Sequence, residues 1–316
     1  MNVSDLLIDV LAEFGIEHVF LVPGGGAMHL NDALQRHERV EAVPLFHEQS
    51  AGIAAEYYAR DSGRSFGVCM VTSGPGVTNA ITALMGAWIE SIPVLFISGQ
   101  AKTADLVGDS GLRQSGVQEI ETIKLVKEFC VHVTSLEKDS DFTFEITEAI
   151  RRMSDGRPGP SWIEVPLDVQ SQSIGLEVFN PSFYQKAEWE IPVTEAWEER
   201  LRSLFSAAER PLLYLGHGVR IDGVDSVENL VGHLKLPTVT TWNALDLLPY
   251  HSPYNFGRPG VVAERSANLI LQNCDLLICV GTSLNNVLTA YNPDNFAKNA
   301  RIVMVNIDEV QLREVR

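Results

Sequence analysis

Apolar positions recur along the chain with two distinct spacings. Residues 4–14 place apolar side chains three and four positions apart, which predicts an amphipathic helix. Residues 18–22 form a short, continuous apolar run, which is typical of a strand buried on both faces of a sheet. A glycine-rich turn at residues 23–26 leads into a second predicted helix that reaches residue 35. The chain therefore opens on a helix–strand–helix pattern.

The same alternation continues through the first half of the chain. Further strands are predicted at residues 40–46, 66–72, 94–98 and 161–165. Further helices are predicted at residues 48–60, 77–90 and 142–153. Strands that alternate with helices of this length indicate a parallel sheet covered on both faces. We expect this first unit to end near residue 170.

A second alternation follows a break in the periodicity. Residues 171–190 are rich in serine, glutamine and aromatic residues, which is typical of a linker between domains. Beyond it, helices are predicted at 196–208, 224–234 and 263–272, and strands at 211–215, 238–242, 275–280 and 301–307. The predicted fold class is therefore α/β, with two doubly wound parallel-sheet domains at residues 1–170 and 191–316.

Charge and composition exclude several classes of partner. The 316 residues carry 24 basic and 41 acidic side chains, a formal charge of −17, and no local basic patch, which argues against nucleic-acid or anionic-membrane binding. Four cysteines at 69, 130, 274 and 279 sit in apolar runs and match neither a zinc site nor a disulfide framework. No apolar run approaches the roughly 20 residues of a membrane span. We expect a cytoplasmic protein with reduced thiols.

Glycine and polar residues follow each predicted strand of the first domain. In parallel α/β sheets, ligands bind beyond the carboxyl ends of the strands. Glu48 stands at such a junction, between His47 and Gln49. Its position alone leaves two roles open, since a carboxylate that begins a helix also complements the helix dipole. Neither GxGxxG nor a P-loop, GxSxG or HExxH motif is present, which weakens a nucleotide-binding oxidoreductase or hydrolase interpretation.

Four motifs together resemble one family. FLVPGGG at 20–26, HEQSAG at 47–52, TSGPGVTN at 72–79 and PVLFISG at 93–99 resemble thiamine diphosphate-dependent enzymes, above all acetolactate synthase large subunits and related 2-oxo acid decarboxylases. The resemblance implies a pyrimidine-binding domain at residues 1–170 and a Rossmann-like central domain at 191–316. It also implies thiamine diphosphate as the cofactor, which performs the carbanion chemistry while the protein orients it.

The resemblance assigns roles to individual residues. In the family, the glutamate that Glu48 matches hydrogen-bonds the N1′ atom of the cofactor's aminopyrimidine and favours the imino tautomer, which removes the thiazolium C2 proton. Gly25 and Gly26 match backbone donors to a developing oxyanion. Gln118 matches a glutamine of the substrate pocket, and Gln100 is a further candidate. The implied cofactor-binding residues are Val22, Pro23, Gly24, Glu48, Thr72, Gly76 and Asn79.

Two departures from the family pattern concern other cofactors. The family binds Mg²⁺ and the diphosphate in a third domain with a Gly-Asp-Gly motif, and residues 108–110 (GDS) are the nearest match here. We therefore expect no metal ligands in this chain and assign Mg²⁺ to the absent C-terminal domain. For FAD, residues 257–260 (GRPG) resemble part of the acetolactate synthase site, but Ala263 replaces a third glycine and 282–286 (TSLNN) replaces an arginine and two acidic residues. FAD binding stays open.

The expected function is that of a carboligase or decarboxylase acting on a small 2-oxo acid. Because the family builds its active site between subunits, a homodimer or homotetramer is expected. The chain matches the N-terminal two-thirds of such an enzyme, so we expect a fragment that is inactive in isolation. The alternatives are a half-site or non-catalytic subunit that needs a partner chain, and a different 2-oxo acid decarboxylase or lyase of the same family.

Overall fold

The computed structural model describes residues 1–60, 66–175, 194–222 and 224–313 of the chain. The chain divides into two compact units, Met1–Glu188 and Trp189–Arg316.

The first unit is a six-stranded parallel sheet with helices between its strands. Its strands are ordered β2-β1-β3-β4-β6-β5, and all five neighbouring pairs are parallel. In chain order, its elements are α1 (Val3–Glu13), β1 (His18–Leu21), α2 (Met28–Arg36), β2 (Glu41–Pro44), α3 (Glu48–Arg60), β3 (Gly67–Val71), α4 (Pro75–Glu90), β4 (Val94–Gln100), α5 (Thr122–Val126), β5 (His132–Ser135), α6 (Phe142–Arg152), β6 (Ser161–Pro166) and α7 (Leu167–Gln170).

Both faces of this sheet are buried. Along β3, Val68 and Met70 pack into a core with α1, α2 and α6, whereas Cys69 and Val71 pack into a core with α3 and α4. This division follows from the alternation of side chains along a strand. The second core contains the Phe96 and Trp162 rings, which stack at a centroid distance of 5.2 Å. A sheet covered on both faces exposes its functional groups at the strand ends.

The second unit is a four-stranded parallel sheet in the order β10-β9-β7-β8. Its elements are α8 (Glu195–Ala207), β7 (Pro211–Leu215), α9 (Val224–Leu234), β8 (Thr238–Thr240), α10 (Arg265–Asn273), β9 (Leu276–Val280), β10 (Arg301–Val305) and α11 (Glu309–Arg313). The predicted fold class, two parallel-sheet α/β domains, is confirmed.

Three elements were not predicted from the sequence: α5, the edge strand β5 and the single-turn helix α7. Residues 171–175 of the predicted linker lie against the start of the chain, where Val3 N donates to Gln172 O at 3.2 Å and Ile174 N to Met1 O at 3.2 Å. The rest of the predicted linker, 176–190, lies outside the described residues. The domain boundaries at 170 and 191 stay predictions.

The four cysteines are free thiols in the structure. Cys69, Cys274 and Cys279 are buried and Cys130 is half-buried. Burial raises the pKa of Cys130 to about 12 and that of Cys274 to about 11, which holds both in the thiol form at neutral pH.

Candidate functional site

The candidate site lies at the carboxyl edge of the first sheet. Strands β2, β1, β3 and β4 are neighbours and all run in the same direction. The segments that follow them therefore meet at one edge. These segments are residues 45–47, 22–27, 72–74 and 101–121. Apart from Gln100, the last residue of β4, they contain or lead into every residue that the sequence predicted for the site.

Glu48 and Asn79 are joined by a hydrogen bond between two helices. Glu48 is the first residue of α3 and is half-buried, and Asn79 lies in the second turn of α4. Asn79 Nδ2 donates to Glu48 Oε2 at 2.9 Å. The second carboxylate oxygen, Oε1, accepts no hydrogen bond from any residue that the structure describes. The amide thus fixes the carboxyl group through one oxygen only.

A close approach of the two helices makes this contact possible. One turn further along each helix, Gly52 of α3 faces Ala83 of α4, and a Cβ on Gly52 would lie only 2.5 Å from the Ala83 Cβ. Glycine at position 52 therefore lets the helix axes come together. Because Glu48 and Asn79 each stand four residues earlier, the same approach brings their side chains into contact.

Thr72 lies at the centre of the glycine segments. Its Oγ1 accepts a hydrogen bond from Gly26 N at 3.0 Å. A Cβ on Gly24 would lie 2.5 Å from the Thr72 Cβ, and one on Gly76 would lie 2.8 Å from Thr72 Cγ2 and 3.5 Å from Glu48 Oε1. Side chains at these glycines would push the segments apart. Glycine at 76 also keeps the approach to Glu48 Oε1 clear of a side chain.

Gln118 is brought to the same edge by its main chain. It is an exposed residue in the left-handed region, with φ of 56°. A Cβ on Gly74, whose own φ is 58°, would lie 2.3 Å from Gln118 O. Gln118 therefore contacts the Gly74 turn, which leads directly into α4.

Two family models match the sequence. "Thiamine pyrophosphate enzyme, N-terminal TPP binding domain" matches residues 1–125, and "Thiamine pyrophosphate enzyme, central domain" matches residues 199–316. The chain belongs to the thiamine pyrophosphate enzymes. Every predicted site residue of the first unit, from Val22 to Gln118, falls within the range of the N-terminal model.

Curated relatives of this thiamine pyrophosphate enzyme cover nearly all of the chain. The acetolactate synthase isozyme 1 large subunit of Escherichia coli (strain K12) is 34% identical over 316 residues, which are 99% of this chain and 54% of that protein. The acetolactate synthase large subunit of Lactococcus lactis subsp. lactis is 31% identical over 320 residues, which are 99% of this chain and 53% of that protein. The chain spans about half the length of these relatives.

The remaining predicted site residues of the thiamine pyrophosphate enzyme differ in their exposure and in whether their main-chain amides already have a hydrogen-bond acceptor. Val22 is half-buried and Pro23 exposed directly after β1. Gly25 is exposed, and a Cβ there would meet nothing within 4 Å. The Gly26 amide, by contrast, is used by Thr72 Oγ1. The predicted role of Gly26 as an oxyanion donor would require that hydrogen bond to be exchanged.

Two further residues shape this edge, and the sequence did not single out the first of them, Gln170. Gln170 of α7 is buried, and its Nε2 donates to Gly26 O at 2.7 Å and to Val165 O at 2.8 Å. A Cβ on Gly99 would lie 2.0 Å from Gly26 O, so β4 and the glycine turn touch through their main chains. Gln170 gave no signal because it adjoins the predicted linker, far along the chain from the turn that it supports.

The segment that resembles part of a FAD site uses its main-chain donors within the second unit, and FAD binding stays an open prediction. Three side chains of the second unit already accept its amide hydrogens: Asn255 Oδ1 from Gly257 N at 3.1 Å, Glu264 Oε2 from Arg258 N at 2.8 Å, and Asn268 Oδ1 from Gly260 N at 3.0 Å. Residue 259 is a proline and has no amide hydrogen.

The described residues contain neither a candidate metal cluster nor a membrane-spanning helix. Within 1–60, 66–175, 194–222 and 224–313, no group of three histidine, cysteine, aspartate or glutamate side chains could hold a metal ion. None of the helices in those ranges is long and apolar enough to cross a membrane.

Proposed function

We propose that this chain forms the pyrimidine-binding part of an acetolactate synthase-like enzyme, which decarboxylates a 2-oxo acid and joins the product to a second carbonyl compound. The observation that carries the proposal is the carboxylate of Glu48, held through Oε2 by Asn79 while Oε1 faces the glycine-lined edge. The family membership and the acetolactate synthase relatives support the same activity.

The edge fits the pyrimidine part of thiamine diphosphate. Glu48 Oε1 lies beside Gly76, where no side chain obstructs it. Thr72 and Gly24 close the neighbouring wall through their mutual contact. We propose that these residues, with Val22, Pro23 and Asn79, hold the aminopyrimidine ring. When bound, thiamine diphosphate supplies the carbon nucleophile that adds to the keto carbon and takes up the electron pair left by carbon dioxide.

Glu48 has the chemistry required to exchange a proton with the ring. A carboxylate accepts a hydrogen bond when ionised and donates one when protonated, so a single oxygen can hold or release a proton in place. The Asn79 amide fixes the orientation of the Glu48 carboxyl group. Its other oxygen is therefore held in place for contact with the ring. Gln118, at the Gly74 turn, is proposed to contact the substrate.

We propose that the rest of the active site comes from outside the described edge. The diphosphate and Mg²⁺ are assigned to a diphosphate-binding domain, in another subunit of a homodimer or homotetramer. The exposure of two large apolar side chains at this edge supports contact with another subunit there. Phe46 is fully exposed and Val117 is 82% exposed. A cytoplasmic location, in which the thiols would stay reduced, is part of the same proposal.

The proposal is tested by turnover of a simple 2-oxo acid. The purified protein that contains this chain is incubated with pyruvate, thiamine diphosphate and Mg²⁺, and carbon dioxide and the organic product are measured. We expect carbon dioxide release that requires the cofactor and a product in which two carbonyl units are joined. Release of a free aldehyde would instead indicate a plain decarboxylase or lyase. Absence of turnover with any 2-oxo acid, with or without a partner chain, would contradict the proposal.

A further inference from the structure

Two buried polar side chains lie on neighbouring strands next to the carboxyl edge of the first sheet and take no part in the proposed chemistry. Gln100, the last residue of β4, and Glu164 of β6 are 2% and 6% exposed. Gln100 Nε2 donates to Glu164 Oε2 at 2.9 Å, and Ser135 Oγ donates to Glu164 Oε1 at 3.2 Å. Buried carboxylates are rare, because desolvation disfavours their charge unless partners compensate for it.

The same glutamine also binds the main chain of the loop that carries Gln118. Its Nε2 donates a second hydrogen bond, to Ile120 O at 2.8 Å, and its Oε1 accepts one from Ala101 N at 2.9 Å. Every polar atom of the Gln100 side chain is thus directed at protein partners. Gln100 was a candidate for the substrate pocket, but its side chain points into this network instead. Its position links the core to the segment two residues beyond Gln118.

Glu119 stabilises the part of the same loop that precedes Gln118, residues 107–116. Its carboxylate accepts main-chain hydrogen bonds from Val107 at 2.5 Å, Ser115 at 3.1 Å and Gly116 at 2.8 Å. Partial burial favours the protonated form of this carboxyl, but the three amide donors outweigh it and lower its pKa. Glu119 therefore ties three earlier residues of the loop to the position directly after Gln118.

Gln118 needs this support because its backbone is in an unfavourable region. A positive φ is uncommon for a residue with a side chain and persists only where the surrounding structure fixes it. Its carbonyl also touches the Gly74 turn, which leads into the helix of Asn79. A shift of the loop would displace Gln118 relative to Glu48, across the same edge.

We propose that Gln100 and Glu164 form a buried positioning pair, which sets the place of Gln118 by holding Ile120 and thereby controls how tightly the site binds its 2-oxo acid. Glu164 orients the Gln100 amide, and Gln100 holds the Ile120 carbonyl. Neither side chain contacts the reacting atoms. The effect on substrate binding rests on the proposed function, whereas the effect on the loop does not.

The first test measures the loop in the full 316-residue chain by amide hydrogen exchange. In Gln100→Met, the Ile120 carbonyl loses its partner, so exchange at Val107, Ser115 and Gly116 should accelerate about tenfold, as expected for loss of one buried hydrogen bond. Glu164→Leu should have the same effect. Glu164→Gln should stay close to the wild type, because its amide oxygen still accepts from Gln100 and its NH₂ group donates to Ser135.

A matched control comes from the same strand. Ser98→Ala removes another buried hydrogen bond of this sheet face, the one that Trp162 Nε1 donates to Ser98 Oγ at 2.9 Å. It should lower stability without changing exchange in the loop. Should Gln100→Met fail to fold, Gln100→Asn replaces it, since the amide is retained but is one methylene too short to span both partners. Unchanged loop exchange in the folded Gln100 variant would overturn the proposal.

The second test measures turnover by the protein that contains this chain. Gln100→Met or Gln100→Asn should raise KM for the 2-oxo acid about tenfold while kcat changes less than about threefold, the pattern of lost substrate binding. Glu164→Gln should restore wild-type KM relative to Glu164→Leu. If the wild-type enzyme turns over no 2-oxo acid, the proposed function is refuted. The hydrogen-exchange measurement then decides by itself whether Gln100 and Glu164 position the loop. Accelerated loop exchange with unchanged KM would overturn the link to substrate binding.

Discussion

Asn79 Nδ2 donates a hydrogen bond to Glu48 Oε2 at 2.9 Å, between helices that follow two different strands of the sheet. The contact fixes one oxygen of a half-buried carboxylate and leaves the other toward a glycine-lined edge. Its geometry depends on the approach of Gly52 to Ala83, one turn further into each helix. The candidate catalytic group is thus positioned by helix packing rather than by a local turn.

We expect two glycine-to-alanine substitutions, one at the helix contact and one away from it, to change the free energy of unfolding in opposite directions. Gly52→Ala should lower the free energy of unfolding by about 1–3 kcal/mol, because its Cβ would overlap Ala83 and force α3 from α4. Gly232→Ala, inside α9 with no neighbour within 4 Å, should raise it by about 0.5–1 kcal/mol. Urea unfolding of each variant measures both. A Gly52→Ala chain as stable as the wild type would show that the helices are not held at this distance.

Thr72 should contribute through its hydroxyl as well as its methyl group. Thr72→Val keeps the shape but leaves Gly26 N without its acceptor, so the free energy of unfolding should fall by about 1–3 kcal/mol. Thr72→Ser keeps the acceptor and loses only the methyl that faces Gly76, so it should retain more of the wild-type stability. Urea unfolding compares the three chains. Equal losses in both variants would show that the hydrogen bond does not matter.

Acid sensitivity should depend on Glu148 of α6. Hydrogen bonds from Arg151 and then Arg152, opposed in part by burial, lower the pKa of this carboxyl to about 2 from an ordinary 4.5. Its stabilising contribution is complete above pH 4.5 and is lost as the pH falls toward 2, because the unfolded chain takes up the proton first. In Glu148→Gln, the free energy of unfolding should therefore decrease less steeply than in the wild type as the pH falls from 4.5 to about 2.

The control for Glu148 is another glutamate of the same unit. Glu137 is exposed and its carboxylate forms no ion pair with any described residue. Glu137→Gln should keep the wild-type pH slope. A slope in Glu148→Gln as steep as that of the wild type would show that the arginine contacts do not persist in solution.

The fold class was accessible from the sequence because its strands are short apolar runs and its helices have regular spacing. The predicted helix at 48–60 has the bounds observed for α3. Strand β5 was missed because all four of its residues are only half-buried at the sheet edge, so its His-Val-Thr-Ser sequence has no apolar run. Helix α7 was missed because four residues are too few to show a helical period.

The site was predictable only in part. The resemblance identified Glu48 and Asn79, but their contact depends on Gly52 and Ala83, whose approach no local pattern indicates. The roles of Gln100 and Glu164 were not predictable, because a hydrogen bond between residues 64 positions apart follows from the pairing of β4 with β6.

Proton exchange by Glu48 is tested by replacing it with glutamine in the protein that contains this chain. Glutamine has the same size but cannot exchange a proton, so 2-oxo acid decarboxylation should fall by about 10²–10⁴-fold, the usual contribution of a positioned acid or base. Glu195→Gln is the matched control, since Glu195 also begins a helix and is exposed in the second unit; it should retain wild-type rates. Near-wild-type turnover by a folded Glu48→Gln enzyme would show that the Glu48 carboxyl does not exchange the proton.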